Sequence, residues 1–198
     1  MDGVDAARDR LCDPEFEVSA HYLIGQDGQI IQMVAEDMRA WHAGAGAWGG
    51  TTDVNSASIG IELCNRGDHD FPGAQMATLV GLLADIRARW NIPIHRVIGH
   101  SDMAPGRKQD PGRHFPWKDL DDAGVGVFRG QNAPDVLPFD VAAKAFGYPI
   151  TPDNADAVLD AFRQRFRPDA MGPLYDTDRK IMSDLAQHWP VDAYLPDV

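Results

Sequence analysis

Between residues 75 and 90 the apolar positions Met76, Leu79, Val80, Leu83, Ile86 and Trp90 recur at helical spacing, with Asp85, Arg87 and Arg89 on the other side. This predicts an amphipathic helix that covers a core. Asn91-Ile92-Pro93 ends it, because the residue before a proline is pushed out of the helical region. Upstream, Val18, Leu23 and Ile24 read as a strand, Gln26-Asp27-Gly28 as a hairpin turn, and Ile30, Ile31 and Val34 as the return strand, an antiparallel pair. The β-branched run over 58–64 predicts a third strand, in which Glu62 lies between Ile61 and Leu63. Alternation places Glu62 on the face opposite those two, free to look into a cleft while they enter the core. Residues 94–99 read as a further short strand that hands His100 to a loop punctuated by Pro105, Gly106, Pro111 and Gly112. A helix is expected over 4–11, with Asp2 or Gly3 near its cap and Asp13-Pro14 beyond its end. Trp117 and Leu120 begin a short closing helix, and the Gly- and Ala-rich segment 41–52, with two Trp, is too flexible for an element interior and reads as a loop over a surface. The order of elements gives an α/β fold, a mixed β-sheet flanked by helices.

Beyond about Gly130 the composition shifts. Gln131-Asn132-Ala133-Pro134 is linker-like, and three short amphipathic helices follow, near Phe139–Phe146, 154–166 and 177–189. The expected organisation is therefore a domain over 1–130 and a small three-helix domain over 131–198. The alternative for the second is a helical extension packed on the first for stability alone.

Composition changes the picture by exclusion. At 198 residues and 44% hydrophobic the chain is long enough to bury a sizeable core. A formal net charge of −12 argues against a nucleic-acid or anionic-membrane partner, since phosphate binding needs clustered Lys and Arg. No apolar run approaches the length of a membrane span, and no basic segment followed by an apolar one marks a signal peptide. Cys12 and Cys64 have no metal-motif spacing and read as two separate thiols.

The candidate chemistry gathers in Gly99-His100-Ser101-Asp102-Met103-Ala104-Pro105-Gly106-Arg107-Lys108-Gln109-Asp110-Pro111. His100 and Asp110 supply an imidazole and a carboxylate, both able to hold Zn²⁺, and Lys108 adds a fixed cation beside them. Three stretches precede this one in order: Ser19-Ala20-His21-Tyr22-Leu23-Ile24, Ala40-Trp41-His42-Ala43-Gly44 and Ser58-Ile59-Gly60-Ile61-Glu62-Leu63. Together the four motifs resemble the zinc-dependent N-acetylmuramoyl-L-alanine amidases of the amidase-2 type, relatives of the phage lysozyme-like amidases and of the peptidoglycan recognition proteins. The resemblance covers roughly residues 15 to 120. The helices beyond Gly130 resemble, more loosely, the peptidoglycan-binding module that often follows such amidases.

What the resemblance implies is hydrolysis of the amide between N-acetylmuramic acid and L-alanine, in peptidoglycan or its fragments, by an enzyme of the cell envelope or periplasm, with the cytoplasm as the alternative. His100 and Asp110 fall on two of the family's three zinc-ligand positions. Glu62 falls on the position of the catalytic base and Lys108 on that of the lysine near the scissile carbonyl. Trp41 offers an apolar face to sugar or peptide, and His42 a hydrogen bond at the cleft wall. The family's first ligand, a His ending a buried strand, has its place before Met1 and no counterpart in this sequence, so weak zinc binding and an unpaired sheet edge are expected of the 198-residue chain. His21 and His42 are the in-chain candidates for a substitute, although neither position is a ligand in the family. The phage-type relatives carry a Tyr where this chain has Ala20. Adjacency of His100, Ser101 and Asp102 does not make a serine triad, because no G-x-S-x-G elbow is present. The competing reading is a wall-binding protein on the same scaffold that does not cut.

Overall fold

The computed structural model describes residues 3–128 and 135–191. Helix α1 (Val4–Cys12) leads into the strands β1 (Tyr22–Ile24), β2 (Ile30–Gln32) and β3 (Ile61–Leu63). Helices α2 (Gly73–Trp90), α3 (His100–Met103) and α4 (Trp117–Asp122) follow, then α5 (Phe139–Phe146), α6 (Ala155–Phe166) and α7 (Asp176–His188). The sheet is mixed, as expected: its order is β2-β1-β3, with β1 antiparallel to β2 and parallel to β3.

Alternation along β1 sorts the core. Tyr22 and Ile24 point to the side of α2 and α4, where they pack with Met76, Leu79, Leu83, Ile86, Trp117 and Leu120. Leu23 points the other way, to Ala7 and Leu11 of α1. The turn at Gly28 has φ +87°, and a Cβ there would stand 2.9 Å from the Ala74 carbonyl oxygen of α2. Glycine is needed at this turn both for its backbone conformation and for the approach of the helix. Gln75 of α2 then donates to the Ile24 carbonyl at 2.9 Å, fixing helix to strand.

The segment 94–99 is not a strand. Pro93 and Ile94 accept from the amides of Arg96 and Val97, at 3.0 and 3.2 Å, to close a 3₁₀ turn over Ile94–Arg96. Val97 and Ile98 then run extended without a strand partner among the described residues, Val97 entering the core under the sheet and Ile98 the core of the C-terminal helices. His100 accordingly opens a one-turn helix instead of ending a strand.

Helices α5, α6 and α7 lie at the expected positions. They share one apolar cluster with Trp48 and Val54 of the loop region and Met103 of α3, in which Phe139, Phe146, Tyr148, Phe162 and Met182 are buried. The linker expected at Gln131-Asn132-Ala133-Pro134, and with it the boundary at Gly130, lies outside the described residues. No helix among the described residues is long and apolar enough to cross a membrane.

One polar pin closes the sheet against α2. The Glu36 carboxylate accepts from Arg89 (2.5 and 3.1 Å), from the Trp90 indole (2.6 Å) and from the Tyr22 hydroxyl (2.6 Å). The Arg89 hydrogen bond outweighs burial and holds this carboxyl down at about 2, against an ordinary 4.5. The unfolded chain therefore binds this proton first, so the stabilisation is fully present above pH ~4.5 and fades as pH falls towards ~2. Glu36→Gln is expected to lower stability at neutral pH by about 1–2 kcal/mol, because Arg89 is half exposed and screened. The same variant should flatten the acid limb of the denaturation midpoint against pH; an unchanged limb would reject the assignment.

Candidate active site

The loop expected over 41–52 is held by its backbone. Ser19 and Trp41 exchange hydrogen bonds, and the Asn55 side-chain oxygen accepts from the amides of His42 (3.0 Å) and Ala43 (2.8 Å). This arrangement turns the Ala43 carbonyl towards α3, where it accepts from His100 Nε2 at 2.8 Å and from Arg107 Nη2 at 2.6 Å. A backbone carbonyl can only accept, so Nε2 carries the proton. The 3.4 Å between Arg107 Nη2 and His100 Nε2 is the spacing of two donors on one acceptor.

That fixes what the other ring nitrogen does. His100 Nδ1 lies 2.9 Å from Asp110 Oδ2, and in the neutral ring Nδ1 is a lone pair facing a carboxylate. Two acceptors at this distance need a proton or a cation between them, which is the arrangement of a chelating imidazole and carboxylate. The Asp110 loop is tied to α3 by its own backbone, Ser101 N–H donating to the Asp110 carbonyl at 2.9 Å. Burial acts to raise the Asp110 carboxyl; with a proton in that gap, the hydrogen bond and charge of His100, and Lys108 behind it, hold it below the usual carboxylate range.

Glu62 comes to the same place from the sheet. It pairs in register with Leu23 across the parallel β1–β3 ladder and so shares Leu23's face, while Ile61 and Leu63 pack on the opposite side. Burial pushes its carboxyl above the usual range and the charge of Asp110 adds to this; His100 and Lys108 oppose it. The four residues thus form one electrostatic group. A half-desolvated carboxylate beside an imidazole–carboxylate pair and an ammonium can take and return a proton.

The remaining candidates separate. Trp41 is 58% exposed, with the Arg39 guanidinium 4.8 Å from its ring centroid, and offers an open aromatic face. His42 lies inward: its Nε2 is buried without a hydrogen-bond partner among the described residues, and its ring meets His21 edge-on at 5.4 Å. Burial, then the neighbouring His21, push His42 down to about 4, so it is neutral at physiological pH. Gly60 makes room for this ring, since a Cβ there would lie 2.3 Å from it. His21 uses both nitrogens, accepting from Gly60 N–H at 2.9 Å and donating to the Met38 carbonyl at 3.0 Å, and so has no lone pair for a metal. Among the described residues no group of three or more His, Cys, Asp or Glu is arranged to hold a metal ion. Reading the sequence missed Arg107 and Asn55. Arg107 stands inside the quoted motif next to Lys108, whereas nothing in the turn around Asp53-Val54-Asn55-Ser56 pointed to a loop anchor.

A partly buried carboxylate, an imidazole–carboxylate pair and an ammonium on one α/β scaffold are the parts that a hydrolase uses. The N-acetylmuramoyl-L-alanine amidase family model matches residues 1–113, and the chain belongs to that family. It is 34% identical over 217 residues to the N-acetylmuramoyl-L-alanine amidase AmiD of Escherichia coli (strain K12), a match that covers 92% of this chain and 78% of the relative. The structure of E. coli AmiD in complex with the substrate anhydro-N-acetylmuramic acid-L-Ala-D-gamma-Glu-L-Lys superposes with a TM-score of 0.78 at 32% identity, covering 98% of this chain and 86% of that one. AmpDh3 from Pseudomonas aeruginosa, in complex with anhydromuramic pentapeptide, does so with a TM-score of 0.83 at 29% identity, covering 96% and 89%.

Proposed function

We propose that this chain hydrolyses the amide between N-acetylmuramic acid and L-alanine in peptidoglycan fragments, with a zinc ion held by His100 and Asp110. The observation that carries the reading is the electrostatic coupling of Glu62 to Asp110, His100 and Lys108, with His100 and Asp110 2.9 Å apart, in a member of the amidase family. The muropeptides bound to AmiD and AmpDh3 supply the substrate class. The donor chemistry fits zinc, since the Ala43 carbonyl fixes the His100 tautomer and leaves Nδ1 facing the carboxylate. When bound, zinc supplies Lewis acidity to water and to the scissile carbonyl.

The chain's own residues do the rest. Glu62 takes the proton of the attacking water and returns it to the departing amine of L-alanine. Lys108 faces the charge that develops on the carbonyl oxygen. Arg107 and Ala43 keep the His100 ring from turning, and the open face of Trp41 receives sugar or peptide stem.

Incubation of the purified protein with a muropeptide and added zinc is expected to release free stem peptide, read by mass spectrometry. Cleavage confined to bonds between sugars would overturn the proposal. His100 and Asp110 are the two donors this reading takes from the described residues, and a site of two protein donors holds zinc weakly; activity is therefore expected to rise with zinc in the buffer, and the dialysed 198-residue protein to retain well under one zinc ion. Stoichiometric zinc after dialysis would count against the two-donor site.

A further inference from the structure

Helix α3 is a single turn, and a single turn does not hold itself together. What secures its start is the Asp102 side chain, whose Oδ2 accepts from the Gly99 amide at 2.8 Å, so that the backbone entering His100 is clamped by a carboxylate two residues further on. This carboxylate is 1% exposed. A buried charge needs partners, and apart from the Gly99 amide both side-chain partners come from the C-terminal part of the chain. Tyr148, just after α5, donates its hydroxyl to Asp102 Oδ1 at 2.6 Å, and Arg165 of α6 donates Nη1 to Oδ2 at 3.0 Å.

Arg165 is itself built in. It is 2% exposed, its Nε and Nη2 donate to the Val127 carbonyl at 3.2 and 2.8 Å, and its guanidinium stacks 4.1 Å from the ring centroid of Trp117 and 4.9 Å from that of Phe166. Gly99 in turn packs against Trp117 and Pro111, leaving no room for a side chain. Two helices that carry no proposed catalytic group, α4 and α6, and the turn that follows α5 therefore converge on the one-turn helix whose first residue is His100.

We infer that Arg165 and Tyr148 are positioning residues for His100, so that the C-terminal helices complete the active site from behind. They act through Asp102 and the Gly99 amide, which set where the His100 ring meets the Ala43 carbonyl and Asp110. The inference rests on the proposed amidase reading for what His100 does, and on geometry alone for how it is held.

The test follows the His100 ring without substrate. In protein labelled with ¹⁵N-histidine, the ring Nε2–H held on the Ala43 carbonyl should give a slowly exchanging proton resonance, assigned by its loss in His100→Ala. Tyr148→Phe and Arg165→Met, measured well below their thermal midpoints, are expected to lose or broaden that resonance, while Arg165→Lys keeps the charge and restores part of it. With a muropeptide and zinc, the same variants should show kcat lowered by about tenfold and KM within about twofold, the pattern of a misplaced catalytic group. A sharp resonance retained in folded Tyr148→Phe and Arg165→Met overturns the inference, whatever the activity. If Arg165→Met does not fold, Tyr148→Phe, which removes one hydroxyl, decides. Absence of any turnover in the parent protein would count against the amidase reading and leave the resonance to be read.

Discussion

Glu62→Gln is expected to reduce turnover of a muropeptide by about 10³-fold while the protein stays folded. The amide keeps the shape of the carboxyl group and so preserves the packing of β3, but it cannot accept a proton from water. Loss should fall on kcat, since Glu62 is placed to act on water and not on the muropeptide. In the metal-free protein burial and the charge of Asp110 raise the Glu62 carboxyl above its usual range, whereas a bound zinc ion would oppose this with its own charge; because the base must be ionised to work, the parent should show an acid limb set by Glu62. The Glu62→Gln variant, assayed for stem-peptide release across pH, should show neither the rate nor the limb. Turnover within about tenfold of the parent would remove Glu62 from the mechanism.

The largest effect on stability is expected at Asp178, in the first turn of α7. This side chain is 0% exposed and accepts from Arg163 Nη2 and Arg167 Nη1, each at 2.6 Å, and from the Tyr175 amide at 2.9 Å. Burial alone would raise its carboxyl; Arg163, the Tyr175 amide and Arg167 together hold it below the usual range. Asp178→Ala leaves the Arg163 guanidinium buried with the carbonyls of Gly172 and Pro173, each at 2.6 Å, and the Tyr175 ring at 5.3 Å, but no carboxylate, to answer its charge. Breaking a buried pair from one side costs about 3–5 kcal/mol, and urea unfolding is expected to show a loss of that order. The double variant Arg163→Met with Asp178→Ala should recover much of it, because no fully buried charge is then left stranded and Arg167 reaches solvent. A single-variant loss below about 1 kcal/mol would mean that water reaches the pair.

The sequence disclosed those parts of the fold in which one periodicity runs long enough to exclude the others. Helix α2 has six apolar positions in register, and the β1–β2 hairpin has a turn that only a glycine satisfies, so both were legible. Residues 94–99 were misread because Val97 and Ile98 are apolar for two different reasons, one under the sheet and one under the C-terminal helices. A short apolar run looks the same whether its residues share a core or divide between two. Within the site, the face on which Glu62 lies was legible from alternation, and its place as base from the family resemblance. The Ala43 carbonyl was not, because a backbone acceptor leaves no mark in the sequence. Nor was the pairing of Asp102 with Arg165, two charges far apart along the chain that meet only after folding.

The parallel register that sets Glu62 beside Leu23 also limits how this gene can change in length. The segment between β2 and β3 can gain or lose residues at its surface turns without moving either strand. A single codon inserted or deleted between Gly60 and Glu62 would instead shift β3 by one place in its ladder, burying the carboxylate where Ile61 or Leu63 now packs and turning an aliphatic side chain towards His100. Length variation among descendants of this chain is therefore expected to collect in the loops on either side of β3 and to spare the strand itself.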